Sequence, residues 1–96
     1  MKKFMLLYVG MWEHNPDVMA GWGKWFEVLG SRVVDSGNPF GPGKEISKSD
    51  PKNLAQDENA IVGYTIINAE NMEEVEKLLK DCPVITSVKV FELMPM

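Results

Sequence analysis

A chain of 96 residues has room for one compact domain, with an expected radius of gyration of about 12 Å. At 45% hydrophobic, 25% charged and 9% aromatic residues, the composition excludes a disordered tail, a collagen-like repeat and a membrane bundle. Net charge is −4, and the basic residues are scattered among fourteen acids, so no basic stripe invites a nucleic acid.

One cysteine, Cys82, cannot form an internal disulfide, and one histidine, His14, cannot build a His/Cys metal cluster. Both fit a reducing cytoplasm, and nothing in the sequence calls for a cofactor. The opening Lys2-Lys3 and the apolar run that follows lead into Glu13-His14-Asn15-Pro16 rather than a small-residue cleavage site. The run therefore reads as a first strand and not a secretory signal. No stretch reaches the ~20 apolar residues of a membrane span.

Lys3 to Val9 is apolar on both period-2 faces, as a central strand covered on both sides would be. Asn15-Pro16-Asp17 then supplies an N-cap, a first-position proline and a first-turn acid. Met19, Trp22, Phe26, Leu29 and Val33 follow at helical spacing, with Gly37 as the stop. Gly37 to Gly43 is a loop by composition, and Lys44 to Ser49 is a mostly polar strand suited to a sheet edge. Ser49 to Asn59 is a long polar connection containing Pro51.

Ile61 to Ile67 is a second central strand, apolar on both faces. Asn71 and Glu74 make a capping box for a helix carrying Met72, Val75, Leu79 and Cys82, ended by Pro83. Val88, Val90 and Phe91 to Leu93 close the chain as a last strand. The order β-α-β-β-α-β is the ferredoxin-like split unit, an α+β fold with a four-stranded antiparallel sheet. In that fold both helices pack on one face, so the other should be wet and its strands should alternate. The two central strands do not alternate, so a second copy must cover the open face. The expected partner is a homodimer with sheet facing sheet, related by a two-fold axis.

Several stretches resemble the YCII-related (DGPF domain) family. They are Phe4-Met5-Leu6-Leu7-Tyr8, Met19-Ala20-Gly21-Trp22-Gly23-Lys24-Trp25-Phe26 and Gly41-Pro42-Gly43-Lys44 in the first half. In the second half they are Val62-Gly63-Tyr64-Thr65-Ile66-Ile67, Asp81-Cys82-Pro83 and Leu93-Met94-Pro95-Met96. The resemblance runs over residues 1–96 as one domain and implies the dimeric α+β barrel architecture. The family's prototype branch carries a helix-1 histidine and an aspartate before a proline, proposed as a catalytic pair. The matching positions here are Ala20 and Cys82, so both groups are missing, and the Asp-Gly-Pro-Phe motif is absent from Asp50 to Ile61.

Gly21 and Gly23 interrupt a predicted helix, where each costs about 0.5–1 kcal/mol relative to Ala. Either they open a ligand pocket between this helix and the sheet, floored by Trp22 and Trp25, or they allow tight helix packing. Trp22 lies on the core stripe, so Trp25, one step off it, is the better pocket candidate. Asp35 is a candidate general base if burial raises its pKa, or else it bonds backbone amides at the end of helix 1. His14 is a candidate acid–base group in the loop before helix 1, or a solvated loop histidine.

Tyr8 and Tyr64, on adjacent central strands, either place two hydroxyls over one pocket or sit in the dimer interface. Cys82, near a helix C-terminus, reads as a small buried hydrophobe, since the dipole there disfavours a thiolate. The Gly37 to Lys44 loop fails as a phosphate loop because Asn38 and Glu45 stand where glycine and Ser/Thr are required. Three functions remain open: a ligand-binding module without the prototype pair, a lyase or isomerase using Asp35 or His14, and a structural dimer. Some relatives of the first kind occur beside transcription-initiation factors.

Overall fold

The computed structural model describes residues 1–10, 16–55, 57–83 and 86–95. Strand β1 (Lys2–Val9) is followed by helix α1 (Pro16–Leu29), a 3-10 turn at Gly30–Arg32 and strand β2 (Val33–Asp35). A small hairpin, β3 (Lys44–Glu45) and β4 (Lys52–Asn53), precedes β5 (Ile61–Ala69). Helix α2 (Met72–Leu78), a second 3-10 turn at Leu79–Asp81 and strand β6 (Ser87–Leu93) complete the chain.

The main sheet is antiparallel in the order β2-β5-β1-β6, which puts the two strands apolar on both faces in the middle, as expected. With the β3–β4 hairpin as an insertion, this is the ferredoxin-like α+β fold. Register pairs Leu6 with Thr65 and with Val90, so Phe4, Leu6 and Tyr8 share one row direction with Thr65, Ile67 and Ala69. All of these are buried, beneath Trp25 and Leu29 of α1 and Val75 of α2. Full burial of each large side chain stabilises the fold by about 1.5–3 kcal/mol. The opposite face carries Met5, Leu7 and Ile66 half-buried, with Phe91 at 55% and Val34 at 45% exposure.

Two expectations are corrected. Helix α1 ends at Leu29 rather than running on to Gly37, because Gly30 turns to φ +53°, the left-handed conformation that terminates helices. Val33, the apparent next residue of the helical stripe, is extended and pairs with Ile67 as edge strand β2. Lys44 to Ser49 is consequently not an edge of the main sheet. Lys44 and Glu45 pair only with Asn53 and Lys52, in the separate hairpin.

At α2 the cap is half of the reciprocal box: the Asn71 side chain accepts from the Glu74 amide at 2.9 Å. The Glu74 carboxylate turns instead to Arg32 Nε, 3.1 Å away, tying the turn after α1 to α2. The predicted N-cap Asn15 lies outside the described residues. The molecule is a slab of 41 × 40 × 19 Å, so its radius of gyration, 14.4 Å, exceeds the value for a compact globule of this length.

Candidate functional site

Tyr8 is the last residue of β1 in the helix-facing row, and two buried polar groups, of Trp25 and Thr65, converge on its hydroxyl. Trp25 Nε1 donates to the Tyr8 hydroxyl at 3.1 Å, which donates to Thr65 Oγ1 at 2.8 Å. The Thr65 hydroxyl in turn donates to the Ser36 carbonyl at 3.0 Å. Each hydroxyl passes on its single proton, so the chain of bonds has one direction and every member is satisfied. Burial pushes the Tyr8 phenol above its ordinary pKa, and the bonds with Thr65 and Trp25 only partly oppose that.

The segment after β2 is clamped onto β5. Gly37 adopts φ +75° and crosses the Tyr64 carbonyl so closely that any Cβ would collide with it. Pro39 bridges to Gly63, and the Phe40 amide donates to the Val62 carbonyl at 2.7 Å. The Asp35 carboxylate holds the corner: one oxygen accepts from the Gly37 amide at 2.9 Å, the other from the Tyr64 hydroxyl at 3.0 Å. The Phe40 ring stacks on Tyr64 with centroids 5.8 Å apart. The bond to Asp35 is the main reason the Tyr64 phenol also stands above its ordinary pKa.

Between α1 and the sheet lies a cavity of about 440 Å³. Its helix wall is Met19, Trp22 and Phe26; its sheet wall is Tyr8 and Gly63 to Thr65; its rim is the clamped segment Ser36 to Pro39. Trp22 presents its ring edge-on to Tyr8, at 4.8 Å between centroids and 82° between planes. Among the described lining residues none carries a charge at neutral pH. The site is an apolar, aromatic-walled slot with amide and hydroxyl groups at its rim, the usual make-up of a small-molecule pocket.

The residues singled out from sequence separate in this geometry. Tyr8, Trp22 and Tyr64 meet at the cavity. The two tryptophans exchange the parts expected of them: Trp25 is fully buried core and does not line the cavity, whereas Trp22 does. One helical step of about 100° per residue explains this, since the core-facing line of α1 runs through Trp25 and Leu29 and leaves Met19 58% exposed. Neither helix glycine lines the cavity. A Cβ on Gly21 would lie 3.3 Å from the Pro83 side chain, so that glycine serves close packing of α1 on the α2 exit; one on Gly23 would meet nothing.

Asp35 is exposed, ends a strand rather than a helix, and bonds a backbone amide and Tyr64 without lining the cavity. His14 lies outside the described residues. Sequence reasoning missed the rim, Ser36 to Pro39, and Gly63. The signals available were Asn38-Pro39 as turn chemistry and a glycine inside a strand otherwise rich in β-branched residues.

No family model and no curated protein matches the chain. Among solved structures it is similar to 5-chloro-2-hydroxyhydroquinone dehydrochlorinase (TftG) from Burkholderia phenoliruptrix AC1100, solved in complex with 2,5-dihydroxybenzoquinone. The TM-score is 0.59 at 17% identity, over 96% of this chain and 93% of that one. The likeness shows the fold, a ferredoxin-like α+β barrel type.

Proposed function

We propose that the protein binds a small neutral ring compound in the cavity between α1 and the sheet, as a non-catalytic, YCII-related module built from residues 1–96. The observation that carries this reading is the cavity wall: Trp22, Phe26 and Tyr8 supply aromatic surface, and none of the described lining residues carries a charge. A ligand carboxylate would be desolvated there without a cationic partner among the described lining residues, which costs several kcal/mol, whereas a neutral ring replaces water at an apolar surface. The cavity is of the size that accepts one or two fused rings. TftG, of similar fold, is solved with a one-ring compound, which supports a cyclic ligand.

The described lining residues include no carboxylate, histidine, lysine or cysteine. The titratable groups among the described lining residues are Tyr8 and Tyr64, both pushed above the ordinary tyrosine value. Neither is poised to exchange a proton near neutrality. The enzymatic alternative, a lyase or isomerase with Asp35 or His14 as its acid–base group, draws support from TftG being a dehydrochlorinase. The contact of Gly21 with Pro83 supports the YCII-related reading, because it brings together the two segments where the prototype pair would stand.

The expected assembly is a homodimer closed over the open sheet face. Phe91, Leu93 and Val34 are exposed there beside Met5, Leu7 and Ile66, an apolar surface larger than isolated surface residues make. Among the described residues no helix is long and apolar enough to cross a membrane, and a single cysteine, which has no second cysteine in the chain to pair with, supports a reducing, cytoplasmic setting.

The test pairs neutral 1-naphthol with anionic 1-naphthoate in a thermal-denaturation titration. Saturation by 1-naphthol to a hundred times its Kd should stabilise the protein by about 2.7 kcal/mol, with no shift from the acid. Stabilisation by the acid alone would sink the neutral-ligand reading. Substrate turnover lost in His14→Ala would favour the enzymatic one.

A further inference from the structure

Gly63 is the single member of the helix-facing row of β5 that has no side chain; Thr65, Ile67 and Ala69 continue that row, all buried. A glycine inside a strand gives up packing and restricts a freely rotating backbone, so it persists where a special conformation, a bulge or a close approach demands it. Left-handed backbone is not the reason here: among the described residues the glycines at positive φ are Gly10, Gly30 and Gly37, and Gly63 is not one of them. The register shift between β1 and β5 follows directly on the Tyr8–Gly63 pair, before Val9–Ile61, so Gly63 borders a bulge. The bridge to Pro39 lies in the plane of the sheet, along the hydrogen-bonding direction, where a Cβ would not point.

The space above the strand is the feature that bears on a ligand. Strand alternation sends a side chain at position 63 to the same face as Thr65, and the cavity lies over that face with Gly63 in its wall. We propose that Gly63 is the specificity-determining residue of the cavity: its missing side chain leaves bare backbone as the floor on which a flat ring rests. Tyr8, its cross-strand neighbour, and Trp22 bound the ring on one side, and the rim at Ser36 to Pro39 bounds it on the other. The proposal rests on the ligand-binding reading above and adds to it which residue sets the largest ligand admitted.

The test compares wild type, Gly63→Ala and Gly63→Val for binding of phenol and 1-naphthol by calorimetry, with thermal stability measured on each. One methyl group in a filled apolar pocket changes affinity by about tenfold or more. Gly63→Ala should therefore weaken 1-naphthol about tenfold while leaving phenol within about twofold, with no fall in Tm. Gly63→Val should abolish 1-naphthol binding; Gly63→Ala keeps the question open to measurement should the valine variant not fold. A wild-type ratio of the two affinities in Gly63→Ala would overturn the role of Gly63 while leaving the cavity as a binding site. Wild-type protein that takes up neither probe would overturn the binding reading and this inference together.

Discussion

The two faces of the main sheet are built from the same strands and solve opposite problems. On the helix-covered face, the central apolar residues are fully buried, and the buried polar atoms of Trp25, Tyr8 and Thr65 are joined in one directed chain ending on the Ser36 carbonyl. On the open face, residues of similar oiliness are left partly uncovered: Met5, Leu7 and Ile66 are half-buried and Phe91 is 55% exposed. Its polar contact, Tyr64 to Asp35, sits at the rim of the sheet in contact with solvent. The contrast shows that side-chain hydrophobicity alone does not tell which face houses a site. The cavity lies on the helix-covered face, where a polar chain fixes the ring of Tyr8, and no element of the described chain covers the open face.

The sharpest way to break the contrast is at the centre of the helix-covered face. Trp25→Ala removes a fully buried aromatic and leaves the Tyr8 hydroxyl without its donor, and should cost about 3–5 kcal/mol in chemical denaturation. A much smaller loss would mean that this face is not the stable core described above. On the open face, Phe91→Asp should convert a dimer in sedimentation velocity to a monomer of 10.8 kDa. Wild type sedimenting at 10.8 kDa would show instead that the open face needs no partner.

Tyr8→Phe keeps the ring and deletes one link of the polar chain. Stability should fall by about 1–3 kcal/mol, since Trp25 Nε1 loses its acceptor and Thr65 its incoming proton. The mildest effect is alkaline. Both tyrosines are raised above their unfolded value, so the stability they contribute is fully present below about pH 10 and is lost as pH climbs through their folded values. Tyrosinate absorbance should therefore lag behind that of free tyrosine, and Tyr64→Phe should leave a single late transition. A tyrosine titrating at the free value in Tyr64→Phe would contradict the burial of Tyr8.

Most of the fold was legible because its strongest signals are local and redundant. The central positions of β1 and β5 followed from apolar residues on both faces, and the α2 start from Asn71 and Glu74. The end of α1 was not legible from spacing, because Val33 follows Leu29 by four and continues the helical pattern by coincidence. Gly30 carried the correct signal, but a lone glycine beside an unbroken apolar period is outvoted. The polar edge assigned to Lys44–Ser49 failed for the converse reason: a short polar strand looks the same whether it borders a large sheet or forms its own hairpin.

The site was half legible. Tyr8, Trp22 and Tyr64 were identifiable as aromatic or hydroxyl groups near a predicted pocket. Whether Trp22 or Trp25 faces the cavity depends on a rotation of α1 by a fraction of a turn, which the contacts of Leu29 and of Gly21 with Pro83 fix. The rim was beyond reach because it depends on Gly37 crossing the Tyr64 carbonyl, a tertiary approach between residues far apart in sequence.

The segment from Gly41 to Ala55 is exposed throughout, and its ladder spans two residues on each side. A protease should cut there first. The two pieces would not be separate lobes, since β1 from the first lies between β5 and β6 of the second. A severed chain is therefore a pair of interlocking halves that regain structure only in each other's company, the arrangement a split reporter requires.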